Sequence, residues 1–284
     1  MTYSTETTPT ARIAEAIERA DAVLIGAGAG LSTAAGLTYS GPRFDENFAD
    51  FRDHFGIRDM YAGGFYPFPD EETYWAWWSR HIMINRYDIV PGSPYTDLLG
   101  IVRGRDYFVL TTNVDHQFQL AGFDKSRLFY TQGDYGLFQC SRPCCQETFD
   151  NEETVRAMVA QQHDMRVPTA LVPHCPHCGA PMTVDLRADD TFVQDAGWYA
   201  ANDRYAAWLS AHDGQRVVML ELGVGGNTPV IIKYPFWRMT AANSQATYVC
   251  INLEDVRVPA EIDAQSICVE GDLGRVLAQV KEAL

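Results

Sequence analysis

Two short segments set amides and a carboxylate where a ligand would meet them. Thr111-Thr112-Asn113-Val114-Asp115 stands just past the apolar run Tyr107-Phe108-Val109-Leu110, and Phe129-Tyr130-Thr131-Gln132-Gly133 ends the next such run. Open α/β sheets bind ligands outside the carboxyl ends of their strands, which makes Asn113 and Asp115 candidate site residues. Glutamine does not titrate near neutral pH, so Gln132 can orient a hydroxyl group but cannot take its proton. Taken alone, Asp115 before His116-Gln117-Phe118 reads equally as a helix cap.

A glycine-rich turn, Gly26-Ala27-Gly28-Ala29-Gly30-Leu31-Ser32, follows Ala22-Val23-Leu24-Ile25 directly. Glycines there permit a tight turn and a close approach of backbone N–H groups to a pyrophosphate at a helix N-terminus. Leu31 stands where the dehydrogenase fingerprint has its third glycine, and no lysine completes a P-loop. A second turn, Gly223-Val224-Gly225-Gly226-Asn227-Thr228-Pro229, follows Val217-Val218-Met219-Leu220 and predicts a helix opening at Pro229. Asn252, after Tyr248-Val249-Cys250-Ile251, reads as a ribose contact or as a surface turn. Asp272, before the terminal helix Leu273–Leu284, reads as its cap.

The seven cysteines are an odd count, and most gather in two short-spaced groups. Cys140-x3-Cys144, with Cys145 as an alternative, and Cys175-x2-Cys178 fit a four-thiolate zinc site. Four protein ligands leave no open position, so such a metal would be structural. His174 and His177 flank the second pair and are possible substitutes. Cys250 and Cys268 read as packing residues.

The elements that must hold these groups alternate. Helical spacing over Ala11 to Ala20 leads into the Ala22 run, and further apolar runs occur at Tyr107–Leu110, Leu128–Tyr130, Val217–Leu220 and Tyr248–Ile251. Helical stretches at Thr96–Val102, Trp198–His212, Pro229–Asn243 and Leu273–Leu284 lie between or after them. That order predicts an α/β fold: a Rossmann-like, doubly wound parallel sheet. Two excursions, 44–87 (aromatic and helical) and 134–195 (with the cysteines), read as a smaller inserted lobe containing the zinc-binding module. The large lobe then comprises about 11–43, 88–133 and 196–284 of one 284-residue domain. The aromatic stretch around Trp75–Trp78 reads as channel lining or as a small core.

A net charge of -15 disfavours nucleic acid and anionic membranes as partners. Met1 to Thr10 lacks a basic and apolar leader pattern, and the apolar runs are strand-sized, so a cytoplasmic location is expected.

In order, the glycine loop, Thr-x-Asn-x-Asp, x-Gly, the cysteine pairs, Gly-x-Gly-Gly-Asn, Ile-Asn and Gly-Asp resemble the sirtuin family from Ala22 onward. Thr38-Tyr39-Ser40-Gly41-Pro42-Arg43-Phe44, Thr112-Asn113-Val114-Asp115-His116 and Tyr130-Thr131-Gln132-Gly133-Asp134-Tyr135-Gly136 are similar to the macrodomain-linked class M sirtuins. Those are protein ADP-ribosyltransferases acting on a lipoylated carrier that resembles the glycine-cleavage H protein, and a macrodomain hydrolase removes the mark. The resemblance implies NAD as co-substrate, with Gly26, Ala27, Gly28 and the following residues to Ser32 at its phosphates. Asn113 would bind the nicotinamide ribose, Asp115 the carboxamide, and Gly223, Gly225, Asn227, Asn252 and Asp272 the adenosine half. Cys140, Cys144, Cys175 and Cys178 would hold zinc.

Gln132 takes the position of the deacylase histidine. Ordinary sirtuins also carry Gly-Ile-Pro-Asp-Phe-Arg where this chain has Gly36-Leu37-Thr38-Tyr39-Ser40-Gly41. The expected activity is therefore protein mono-ADP-ribosylation, with Asn113, Gln132 and Asp115 in the catalytic roles. The alternatives are a lysine deacylase, an NAD glycohydrolase in which water captures the sugar, and a non-catalytic NAD sensor.

Overall fold

The computed structural model describes residues 8–226 and 229–284. Its strands in chain order are β1 (Ala22–Ala27), β2 (Tyr107–Thr111), β3 (Leu128–Tyr130), β4 (Gly133–Cys140), β5 (Phe149–Asp150), β6 (Met182–Leu186), β7 (Val217–Leu222), β8 (Thr247–Asn252) and β9 (Ser266–Glu270). Six of them form a parallel sheet in the order β3-β2-β1-β7-β8-β9. This is the doubly wound order, with its reversal between β1 and β7. β1, β2 and β7 are buried over their whole length. Helices cover both faces, which is why these strands read as unbroken apolar runs. Val23 and Ile25 pack on one face with Ile17, Leu98 and Leu277, while Leu24 packs on the other with Phe108, Ile232 and Phe236.

The sequence pattern missed β9. It lies at the sheet edge, where only Ile267 of its five residues is buried, so no apolar run marks it. The helix expected from Pro229 begins instead at Lys233. The chain first makes a turn, Tyr234 N–H bonding to the Pro229 carbonyl at 2.9 Å. That turn seats Ile232 over β1, where a Cβ on Gly26 would come within 2.4 Å of Ile232 Cγ2.

A second, antiparallel sheet has the order β5-β4-β6. Packed with it are helices Pro42–Phe55, Met60–Gly64, Glu71–Ile82 and Glu152–Gln161. Here most of the aromatic stretch is core, with Phe44, Phe48, Phe51, Trp75 and Trp77 buried against Phe138 and Met158, while Trp78 also lines the cavity described below. Asp70 caps the third of these helices by accepting from Thr73 N–H at 2.9 Å, and Glu71 and Glu72 fill its first turn.

At the far end of this sheet, Cys140, Cys144, Cys175 and Cys178 bring their sulfurs within 4.8 Å of one another. The Cys140–Cys178 and Cys144–Cys175 separations are 3.6 and 3.5 Å. A zinc tetrahedron with bonds of ~2.3 Å requires edges of roughly 3.8 Å, so the four sulfurs fit that ion. Cys144, and not Cys145, completes the set. Cys250 is buried in β8, and Cys268 packs beside it on β9. Among the described residues no helix is long and apolar enough to cross a membrane.

Where β4 leaves the main sheet, Asp134 faces Asp185 across the β4–β6 ladder. Burial pushes the Asp185 carboxyl up to about 8, and the neighbouring Asp195 and Asp134 charges add to the shift. Its Oδ1 is buried without a protein partner. The folded chain therefore keeps a proton that the unfolded chain has lost between pH 3.8 and about 8, and stability falls as pH rises through that window. Replacing Asp185 by Asn should remove this slope, so the variant gains on wild type by up to about 1.4 kcal/mol per pH unit. Urea midpoints at pH 5 and pH 8.5 check it; parallel pH dependences would refute it.

Candidate active site

The sheet reversal places two glycine turns side by side at the carboxyl ends of β1 and β7. Gly28 N–H bonds to the Leu222 carbonyl at 3.0 Å, and Gly30 N–H to the Gly223 carbonyl at 2.9 Å. A Cβ on Gly30 would stand 2.6 Å from Gly223 Cα, and Gly223 has φ +60°. Both positions therefore need glycine for backbone packing. Gly28 opens the short helix Ala29–Ala34. Beyond the turns lies a cavity whose walls include Gly28, Ala29, Asn113, Gln132 and Gly225. A smaller adjoining hollow takes in Ser32, Thr33, Leu37 and Asp115, and Tyr39 and Asn113 border both.

Asn113 is fixed from several sides. Its Nδ2 donates to the Gly28 carbonyl at 2.9 Å and to the Tyr95 hydroxyl at 3.2 Å, while its own N–H donates to Thr111 Oγ1 at 3.0 Å. The Tyr95 hydroxyl is 2.8 Å from Ser32 Oγ, which donates to Asp115. The other Asp115 oxygen accepts the Gln117 N–H at 3.1 Å, so this residue both caps the next helical turn and faces the smaller hollow. Burial raises the Asp115 carboxyl, against the lowering effect of the Ser32 bond. His116, in the left-handed region at φ 64°, turns the chain back. Its ring lies 3.2 Å from Asp134.

Gln132 ends the loop before β4. Its Oε1 is buried and takes no protein hydrogen bond, and its main-chain carbonyl accepts the Arg187 N–H at 2.9 Å. Arg187 is the one permanently charged side chain among the described residues lining this cavity. The wall opposite is aromatic. The Tyr39 and Tyr135 hydroxyls meet at 2.5 Å, and His81 lies against both rings, at 5.4 and 5.0 Å between centroids. An imidazole is thus present in the wall, but it is disabled. Burial pushes it down to about 3, and the Arg43 charge adds to this. Neither His81 nitrogen has a protein partner. At neutral pH it is an uncharged, very weak base.

Other sequence candidates lie outside this cavity. Gly26 and Ala27 are strand residues of β1, Gly26 packed beneath Ile232 and Phe236. Asn252 donates to the Val224 carbonyl at 3.2 Å and so braces the second turn. Asp272 caps the terminal helix through the Arg275 N–H at 2.7 Å. Asn227 lies outside the described residues. Arg43, the nearest arginine to the altered Thr38-Tyr39-Ser40 segment, is committed to Thr38, Ile84 and Asn85. Sequence reasoning missed Tyr39, His81, Tyr95 and Arg187 as site residues. For Tyr39 the departure from Gly-Ile-Pro-Asp-Phe-Arg was a usable signal; for the other three there was none.

No protein-family model matches the chain. It is 40% identical over 263 residues to a protein ADP-ribosyltransferase of Staphylococcus aureus, covering 92% of this chain and 84% of that protein. It is 32% identical over 283 residues to a probable bifunctional ADP-ribose hydrolase/ADP-ribosyltransferase of Fusarium oxysporum, covering 94% of this chain but 47% of that protein. Among solved structures, a Sir2 enzyme bound to a propionylated peptide matches with TM-score 0.60 at 15% identity, over 95% of this chain and 96% of the other. A Sir2 homologue in complex with NAD gives 0.58 at 16% identity, over 95% and 92%. These structures show the Sir2 fold, and the Staphylococcus relative shows the family: the chain belongs to the sirtuin-type protein ADP-ribosyltransferases.

Proposed function

We propose that the chain transfers ADP-ribose from NAD to a carboxylate on a protein acceptor and releases nicotinamide. One observation carries this reading. Among the described residues lining the cavity that Gln132 and Asn113 share, none accepts a proton near neutral pH, since the one imidazole is pushed down to about 3. In the transfer, the C1′–nitrogen bond of the nicotinamide riboside breaks with its electron pair going to nicotinamide. A carboxylate oxygen then forms the new bond to C1′. No proton moves. Amide cleavage of the deacylase kind requires a ribose hydroxyl to lose its proton, a step for which a base is typically worth roughly a hundred- to ten-thousand-fold.

The chain's own residues supply positioning and charge. Asn113, held by Gly28 and Tyr95, presents its remaining polar capacity to the ribose. Gln132 offers an uncommitted carboxamide oxygen. Asp115 in the adjoining hollow suits the nicotinamide carboxamide, and Gly28, Ala29 and Gly225 leave backbone open for the diphosphate, with Arg187 as a counter-charge. The acceptor in this reading is a lipoylated carrier resembling the glycine-cleavage H protein. A macrodomain hydrolase is the reversing partner, a pairing supported by the double name of the Fusarium relative.

The direct test uses labelled NAD with lipoylated and with unmodified carrier. Label on the lipoylated polypeptide is expected; free ADP-ribose without labelled protein, or robust acetyl release from lysine peptides, would overturn the reading. Gln132→Ala should cut transfer by about a hundredfold, the scale of a misplaced reacting group. Gln132→His restores an imidazole and reports, by its residual transfer, whether shape or neutrality matters at this position. His81→Phe keeps the aromatic packing and should leave the pH profile of transfer unchanged between pH 6 and 9. Loss of an acid limb near pH 6 to 7 in that variant would identify His81 as a working base.

A further inference from the structure

The four-thiolate cluster leaves metal-binding side chains of its own loops unused. Cys145, Glu147 and His177 bring a sulfur, a carboxylate oxygen and a ring nitrogen within 4.8 Å of one another. Two of the three are fixed by the inner cluster itself: Cys145 follows Cys144, and His177 precedes Cys178. His177 Nε2 lies 2.8 Å from Glu147 Oε2, and its ring leans on Phe149 of β5 at 6.2 Å. The carboxylate and imidazole side chains are about half exposed, at 61% and 48%. The inner sulfurs of Cys140 and Cys175, by contrast, belong to buried residues.

We propose that Cys145, Glu147 and His177 form a second, outer site for a zinc-class divalent cation. The donor set is one thiolate, one imidazole and one carboxylate. It neutralises a divalent charge and favours zinc or cobalt over magnesium and calcium, which prefer oxygen alone. Three protein ligands leave the fourth tetrahedral position to water, so the site is open where the inner one is closed. The three donors lie within 4.8 Å of one another, where such bonds impose edges of roughly 3.4–3.8 Å, and the His177–Glu147 pair at 2.8 Å has to open by less than an ångström. Ligation through Cys145 requires its thiolate, and ligation through His177 requires a neutral ring whose proton sits on the nitrogen away from the metal. Because only three protein ligands hold it and none of them is buried, whereas Cys140 and Cys175 of the inner set are, the outer ion exchanges more readily than the inner one. When bound, it clips the Ser141–Thr148 loop to the Cys175–Cys178 knuckle from outside.

The experiment is metal content and cobalt spectroscopy on the full chain. Under saturating zinc, wild type should hold two ions, one of which a mild chelator removes. Refilling that position with cobalt should give tetrahedral bands with the weak charge transfer of a single thiolate. Cys145→Ser, Glu147→Gln and His177→Gln should each hold one ion and keep the strong four-thiolate spectrum of a cobalt-loaded inner site. Cys144→Ser should lose that strong spectrum. One ion in saturated wild type, two ions persisting in the three outer-site variants, or loss of the four-thiolate spectrum in Cys145→Ser each overturns the proposal.

Discussion

The structure turns on the close contact of two backbones at the point where the sheet reverses. Gly28 and Gly30 at the end of β1 press against Gly223 at the end of β7, at separations that admit no Cβ. The contact passes outward through hydrogen bonds. Gly28 gives its carbonyl to Asn113, which reaches Tyr95, which reaches Ser32, which holds Asp115. A side chain on any of these glycines would separate the turns and misplace an amide and a carboxylate some 80 residues downstream. Asn252, bonded to Val224, braces the second turn from β8. The binding elements are therefore set by the sheet and do not depend on loose loops for their geometry.

β4 carries the same logic into the smaller sheet. It begins directly after Gln132 and ends on the thiolate ligand Cys140, so one eight-residue strand joins the catalytic candidate to the metal cluster. β6 runs antiparallel beside it and continues into Arg187, whose N–H holds the Gln132 carbonyl. Zinc at the far end would be structural in its chemistry, and it would hold one end of the ladder whose other end presents Gln132 and Arg187 to the cavity. The outer Cys145, Glu147 and His177 site would tighten the same end of that ladder.

Much of this was readable from local pattern. Continuous apolar runs marked β1, β2, β7 and β8 because both faces of a parallel sheet are covered. Glycine turns and cysteine spacing marked the switch point and the metal cluster because their chemistry constrains residue type within a few positions. What escaped was set by distance along the chain. Tyr39 meets Tyr135 across 96 residues, and Asn113 meets Tyr95 across 18. His81 reaches the cavity only because its helix packs an aromatic core. The edge strand β9 lacks the two-sided burial that makes a strand visible. Pro229 signals a helix start in general, but here the need to seat Ile232 against Gly26 delays the helix to Lys233.

The chemistry follows from how burial treats two side chains in one wall. Gln132 is neutral by type and His81 is neutral by environment, so neither of these two described lining residues accepts a proton near neutral pH. These two side chains give no help to a reaction whose second step is deprotonation of a sugar hydroxyl. The site can still support one whose nucleophile arrives already ionised, because the developing cation at C1′ needs only orientation and nearby dipoles. In the proposed transfer the acceptor's carboxylate is that nucleophile, and no base is called for. On that proposal selectivity would rest on the fit of the acceptor's surface around Arg187 and the exposed Tyr61 and Phe65, which line the cavity. In a chain with a net charge of -15, that arginine is the one permanently positive side chain such an acceptor would meet among the described lining residues.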